Sequence, residues 1–161
     1  MENATPTVYM ICGFISAGKT TFARKLEKNT GAVRITKDEW LIELFGHDPK
    51  NIMGFEEYDK KICKMATDMA FEFVKKGIDV IIDDGFWYKS QRREMRERIK
   101  RSGAKALLYY VKCPMDEMRE RTVKRSDSPS EDSFVIDEEM FDGYVKHWEP
   151  PGNDEEYRLA G

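Results

Sequence analysis

Apolar positions along this chain follow two rhythms, and the switches between them mark the elements. Residues 7–12 form a short apolar run in which Val8, Met10 and Ile11 imply a strand buried on both sides. A helix from about Lys19 to Lys28 stops at Asn29-Thr30-Gly31, a C-cap signal. Ala32-Val33-Arg34-Ile35-Thr36 reads as a second short strand. Trp40, Leu41, Leu44 and Phe45 place a helix near 38–45, and Gly46-His47-Asp48-Pro49 ends it. From 55 to 76, Tyr58, Ile62, Met65, Ala66, Met69 and Phe73 recur at spacings of three and four, a long amphipathic helix closed by Gly77. Ile78 to Ile82 is a third strand, followed by a charged helix over 89–102 and a fourth strand over 106–111. Pro114 opens a helix to about Arg125. Ser126 to Ser133 is polar, contains Pro129 and predicts a mobile loop without an apolar anchor. Ile136, Met140, Tyr144 and Trp148 mark a last helix before Pro150-Pro151-Gly152.

Strands alternating with helices predict an α/β fold, a right-handed parallel sheet with helices on both faces. The little chain after Trp148 favours four strands, with five as the alternative. At 161 residues, this amounts to one domain spanning 1–161. Ligands of such sheets sit at the carboxyl ends of the strands. Gly13, Asp38 and Asp83 all fall there. With apolar runs of five or six residues at most, no membrane span is expected. Met1-Glu2-Asn3-Ala4-Thr5-Pro6 lacks the regions of a signal peptide. Cys12, Cys63 and Cys113 are odd in number and lack zinc spacing, which fits reduced cysteines in a cytoplasmic protein. A net charge of −3 supplies no global field for nucleic acid, so such a partner is not favoured, although a local basic groove stays compatible.

The chemistry starts where the first strand breaks. Gly13-Phe14-Ile15-Ser16-Ala17-Gly18-Lys19-Thr20, followed by Thr21, spells G-x-x-x-x-G-K-T between a strand and a helix, the setting of a phosphate-binding loop. Glycines allow the backbone amides to turn inward as an anion nest, and the helix dipole adds positive charge. Lys19 reaches the β- and γ-phosphates of a nucleotide, and Thr20 offers its hydroxyl to Mg²⁺.

Around that loop, Asp38 follows the second strand and suits a carboxylate that takes a proton from an acceptor hydroxyl; the plainer alternative is a helix N-cap, and one carboxylate can do both. Asp83 and Asp84 end the third strand, where a carboxylate holds Mg²⁺ or ties down a loop. The aromatic group around Trp87 either lines an acceptor pocket or packs. Arg92, with Arg93, is placed to meet the acceptor or the transferred phosphate. Arg121 and Arg125 share a helix face just before the polar loop, fit either to stack on a base and clamp phosphate or to be solvated.

Taken in order, these landmarks resemble the small P-loop kinases described as predicted kinases or AAA-type ATP-binding proteins. That group is related to polynucleotide 5′-kinases, chloramphenicol phosphotransferase and zeta toxins. The resemblance rests on Gly13 to Thr20, Thr36-Lys37-Asp38-Glu39-Trp40, Val80-Ile81-Ile82-Asp83, Phe86-Trp87, Arg92 or Arg93, Cys113-Pro114, Arg121, Arg125 and Trp148-Glu149-Pro150-Pro151. It implies a three-layer P-loop fold of nucleoside-kinase type with ATP and Mg²⁺ as ligands. By it, Asp38 is the general base or acceptor-binding carboxylate, Arg121 stacks on the base, and Arg125 touches phosphates from a lid at about 126–134. One departure stands out: many relatives have a third glycine at the position of Ser16.

The expected activity is transfer of the γ-phosphoryl group to a hydroxyl of a small molecule. Lys19, Asp38 and Arg125 would be catalytic, Thr20 and Asp83 would hold the metal, and Asp38, Trp40, Asp84, Trp87 and Arg92 would face the acceptor. The alternatives are a polynucleotide or nucleotide kinase, or a nucleotide-binding regulatory module without an acceptor.

Overall fold

Alternation within the apolar runs dictates the layering. The computed structural model describes residues 4–130 and 132–160. Five strands, β1 (Thr7–Cys12), β2 (Val33–Ile35), β3 (Val80–Gly85), β4 (Lys105–Tyr110) and β5 (Arg158–Leu159), pair in the order β2-β3-β1-β4-β5, all parallel. Among the described residues six α-helices cover the sheet: α1 (Lys19–Thr30), α2 (Lys37–Phe45), α3 (Phe55–Lys75), α4 (Lys89–Arg101), α5 (Met115–Asp127) and α6 (Glu138–Val145).

Val8, Met10 and Cys12 of β1, with Val80, Ile82, Leu108 and Tyr110, pack under Ala66, Ala70, Phe71 and Val74 of α3 and Ile99 of α4. Their alternates Ile11 and Ile81 pack on the other face, under Ala23 of α1, Met118 of α5 and Phe141 of α6. Each large aliphatic side chain so buried contributes about 1.5–3 kcal/mol relative to exposure. The result is three layers, with Trp148 against both cores. Among the described residues, no helix is long and apolar enough to cross a membrane.

Four differences from the sequence reading have a clear physical reason. β3 starts later, at Val80, and runs on through Asp83, Asp84 and Gly85, because backbone pairing with β1 continues past a bulge after the apolar residues end. The fifth strand exists and is two residues long; Arg158 and Leu159 pair with Tyr109 and Tyr110. α5 reaches Asp127, two residues past Arg125. α6 is confined to Glu138–Val145, opened by Asp137, whose carboxylate accepts from the Met140 N–H (2.8 Å).

Strand order sets the position of the site. β1 lies between β3 and β4, so the chain departs to either side of β1, and the crevice at its carboxyl end is the natural ligand position.

Candidate functional site

The loop from Gly13 to Thr20, with Thr21 just inside α1, joins the end of β1 to α1. Its entry is tied to β3 by the Gly13 N–H donating to the Gly85 carbonyl (3.0 Å). Gly18 has φ 99°, a conformation open to glycine and strained for other residues. α1 then starts with no side-chain cap, which leaves its first amides for an anion. The Phe14 ring is buried among Trp87, Phe141 and Trp148 at centroid distances of 5.0, 5.3 and 5.6 Å, which leaves only its backbone to the open side of the loop.

Lys19 folds back over the loop and donates to the Phe14 carbonyl (2.8 Å). Burial presses its pKa down; Asp83 and then Asp38 oppose this, while Arg125 adds to it. These three side chains, expected in the site from sequence, thus lie within electrostatic reach of the lysine.

Thr20 Oγ1 donates to Asp83 Oδ2 (3.0 Å), and the Thr36 hydroxyl reaches the same oxygen (3.3 Å). Burial raises the Asp83 pKa against the Lys19 charge and the Thr20 hydrogen bond. A hydroxyl and a carboxylate in contact at the inner edge of the loop suit Mg²⁺, which takes its remaining ligands from phosphate and water. Among the described residues no three His, Cys, Asp or Glu side chains form a metal cage. Thr20 and Asp83 therefore fit Mg²⁺ that arrives with a nucleotide.

Asp38 is not the N-cap of α2. The cap position is Thr36, and Asp38 is the second helical residue, its side chain 47% exposed. The Lys37 ammonium stands 3.8 Å away. Lys37 was missed in the sequence as a site element, although it adjoins Asp38. Its ammonium lies 2.5 Å from Asp59 of α3 and 3.4 Å from Asp84, so it pins the start of α2 to α3 and β3. Burial alone would lower its pKa, but Asp84, Asp38 and Asp59 together hold it above the usual lysine range.

Asp84 is accordingly corrected from acceptor ligand to anchor. Lys37 faces one of its oxygens, and Cys63 (3.5 Å) and Gln91 (3.2 Å) donate to the other. Burial pushes its carboxyl up to about 6 against the pull of Lys37. The folded protein then keeps this proton to higher pH than the unfolded chain, whose value is about 3.9. The contribution of Asp84 to stability should fall as pH climbs from about 4 to about 6. Asp84→Asn is expected to remove that slope from urea melts taken across the interval; an unaltered slope would assign it to another group.

Arg92 is also corrected. It is 1% exposed and does not face the acceptor. Its guanidinium grips Glu155 through two bonds (2.7 and 2.8 Å) and donates to the carbonyls of Phe86 (2.8 Å), Trp87 (3.2 Å) and Glu149 (2.9 Å). Phe86, fully buried with φ 49°, is strained for a bulky residue, and this lock holds it. Glu155 went unnoticed in the sequence. The missed signal was the face of α4: Arg92 precedes Met95 and Ile99 by three and seven residues and shares their inward side.

Trp40 is half-buried and packs part of its ring against the α3-side core. Trp87 lies under the loop against Phe14 and meets Tyr144 edge-on at 5.6 Å. A glycine is needed beside it, because Gly85 has φ 80° and a Cβ there would lie 2.9 Å from the Trp87 Nε1.

On the opposite side of the loop, Arg121 Nη1 donates to the Ser16 carbonyl (3.3 Å). Arg125 is exposed and one helical turn further on. Of the segment expected to form a lid, Ser126 and Asp127 are helical, and Glu131 lies outside the described residues. Its far end does have an apolar anchor: Phe134 meets Phe55 edge-on at 5.5 Å. Asp132 pairs with Arg24 (2.9 Å), His47 Nδ1 donates to the Ser133 carbonyl (2.9 Å), and the Val135 N–H donates to the His47 carbonyl (2.8 Å). The loop is thus docked on α1, on the connection between α2 and α3, and on the start of α3.

The profile of a family described as the AAA domain matches residues 8–151. The fold is that of P-loop kinases. A candidate kinase from Chloroflexus aurantiacus superposes with a TM-score of 0.70 at 15% identity, covering 97% of this chain and 84% of that one. The APS kinase CysC of Mycobacterium tuberculosis, in complex with AMPPNP and APS, gives 0.62 at 13% identity, covering 96% and 87%. A chain of the Pnkp1/Rnl/Hen1 RNA repair complex gives 0.69 at 21% identity over 89% of this chain, which spans 44% of that one. At these identities the likeness is one of fold.

Proposed function

The chain belongs to the AAA domain family, and from that premise we propose that it is an ATP- and Mg²⁺-dependent kinase acting on a hydroxyl of a small molecule. The observation that carries this reading is Asp38. It is half exposed, has no capping duty, and lies within electrostatic reach of the lysine that would hold the γ-phosphate.

Asp38 would accept the proton of the acceptor hydroxyl as its oxygen attacks the γ-phosphorus. The bond to the β-phosphate oxygen breaks, and ADP leaves. Lys19 and the loop amides hold the charge that builds on the phosphoryl oxygens, and Arg125 reaches the same charge from α5. Arg121 would stack on the base. Mg²⁺, when bound with the nucleotide at Thr20 and Asp83, would supply further neutralisation of phosphate charge.

A small-molecule acceptor is favoured over a polyanionic one by the cations on that side. Lys37 is engaged by Asp59 and Asp84, Arg24 by Glu39 and Asp132, and Arg34 by Glu27 and Glu39. Little positive charge remains there to track a nucleic-acid backbone. The fold neighbours do not fix the acceptor, since one of them is bound to APS and another belongs to an RNA repair complex.

The test is a screen of hydroxyl compounds, including sugars, antibiotics, nucleosides and a 5′-hydroxyl oligonucleotide, with ATP and Mg²⁺. Gain of one phosphoryl mass on a small neutral or cationic compound is the expected result. Exclusive phosphorylation of the oligonucleotide would replace the small-molecule reading, and ATP binding without any transfer would favour a regulatory module.

A further inference from the structure

Ser16 holds a backbone conformation that a serine does not favour. Its φ is 59°, in the left-handed region, and its side chain is buried in the phosphate loop. Glycine would adopt this turn without steric cost.

What compensates comes from α5. Ser16 Oγ lies 2.8 Å from Thr122 Oγ1, both side chains being buried, and Thr122 Oγ1 donates to the Met118 carbonyl (2.7 Å). A threonine hydroxyl has one hydrogen. With that hydrogen directed to Met118, Ser16 is the donor and Thr122 the acceptor. Arg121, one residue earlier on the same helix, takes the Ser16 carbonyl (3.3 Å). Two adjacent residues of α5 thus grip the hydroxyl and the carbonyl of one strained loop residue.

We infer that Thr122 is a positioning residue for the nucleotide. It holds Ser16 in the left-handed turn that aims the loop amides inward, supplying by a hydrogen bond what a third glycine would supply by conformational freedom. This rests on the nucleotide-binding reading above. It also makes the helix of Arg121 and Arg125 a structural part of the phosphate loop: a shift of α5 moves the turn, and a distorted turn dislodges α5.

The experiment is calorimetric binding of Mg·ADP to five proteins, the wild type and four variants. Thr122→Val keeps the shape and removes the acceptor; it should weaken ADP by about five- to tenfold, the usual worth of one buried hydrogen bond. Thr122→Ser, which restores the hydroxyl, should bind within about twofold of wild type. The decisive protein is Ser16→Gly combined with Thr122→Val, compared with Ser16→Gly alone. Once glycine adopts the turn unaided, the valine should change affinity by less than about twofold.

An equal loss in the glycine background, no loss with valine alone, or a serine variant as weak as the valine one would overturn the inference. If wild-type protein binds no ADP, it is the nucleotide reading that fails. The latch is then read in the ligand-free protein, by hydrogen exchange of the amides of residues 15–18. Exchange should speed up in Thr122→Val and return to the Ser16→Gly level in the double variant; unchanged exchange would likewise overturn the latch.

Discussion

Asp38→Asn is expected to cut phosphoryl transfer by roughly 10²–10⁴-fold, the usual worth of a positioned general base. Nucleotide affinity should barely change. The substitution keeps size and hydrogen-bonding shape while removing the charge that accepts the proton. It does not threaten the fold, because Thr36 occupies the cap position and Asp38 is half exposed. What it removes structurally is a favourable charge in the first turn of α2, about 0.3–1 kcal/mol. Steady-state turnover on the acceptor found by the screen, with ADP affinity and a thermal melt alongside, checks all three statements. Intact turnover would mean that another group takes the proton, and collapse of ADP binding would move Asp38 into the nucleotide or metal site.

Arg92→Met should destabilise the protein by about 3–5 kcal/mol, the range for breaking one half of a buried ion pair. The loss has two parts. Glu155, largely buried, would keep a charge without its partner, and the Phe86, Trp87 and Glu149 carbonyls would each lose a donor. Adding Glu155→Leu should recover only part of the loss, since the carbonyls stay unserved. The guanidinium, its hydrogen bond first, holds the Glu155 carboxyl below the usual range against burial. A depressed folded value gives stability that is present above about pH 4.3 and lost as pH falls through the folded value. Urea melts at neutral and acid pH measure both effects; a midpoint unmoved by Arg92→Met would show that the lock carries no weight.

The parts of the site legible in sequence are those where chemistry demands a residue type at a fixed local spacing. Gly13 to Thr20 could be read whole, as could the apolar alternation of β1 and the strand-end position of Asp83, because each signal is complete within about ten residues. Arg92 was misread because its partners Glu149 and Glu155 lie 57 and 63 positions away, and no periodicity links them. In a helix crowded with arginines, an inward one looks like its solvated neighbours. Asp83 and Asp84 are adjacent at the strand end, but successive strand residues point to opposite faces, so the two carboxylates meet different neighbours, and those of Asp84 lie on α2, α3 and α4, beyond any local signal. The fifth strand left no pattern because two residues cannot show one; it is held by pairing to β4 and by the Ala160 N–H donating to the Tyr110 carbonyl (3.0 Å).

The docking of Asp132, Ser133, Phe134 and Val135 on Arg24, His47 and Phe55 carries a thermodynamic corollary. One end of that segment continues from the helix of Arg125, and the other rests on α1 and on the chain that follows the helix of Asp38, so one element would connect the sites of both substrates. If an acceptor, through the docked arrangement, raises affinity for nucleotide by some factor, nucleotide raises affinity for acceptor by that same factor. Binding would then be synergistic, and an acceptor search run without nucleotide would understate every affinity by the size of that coupling.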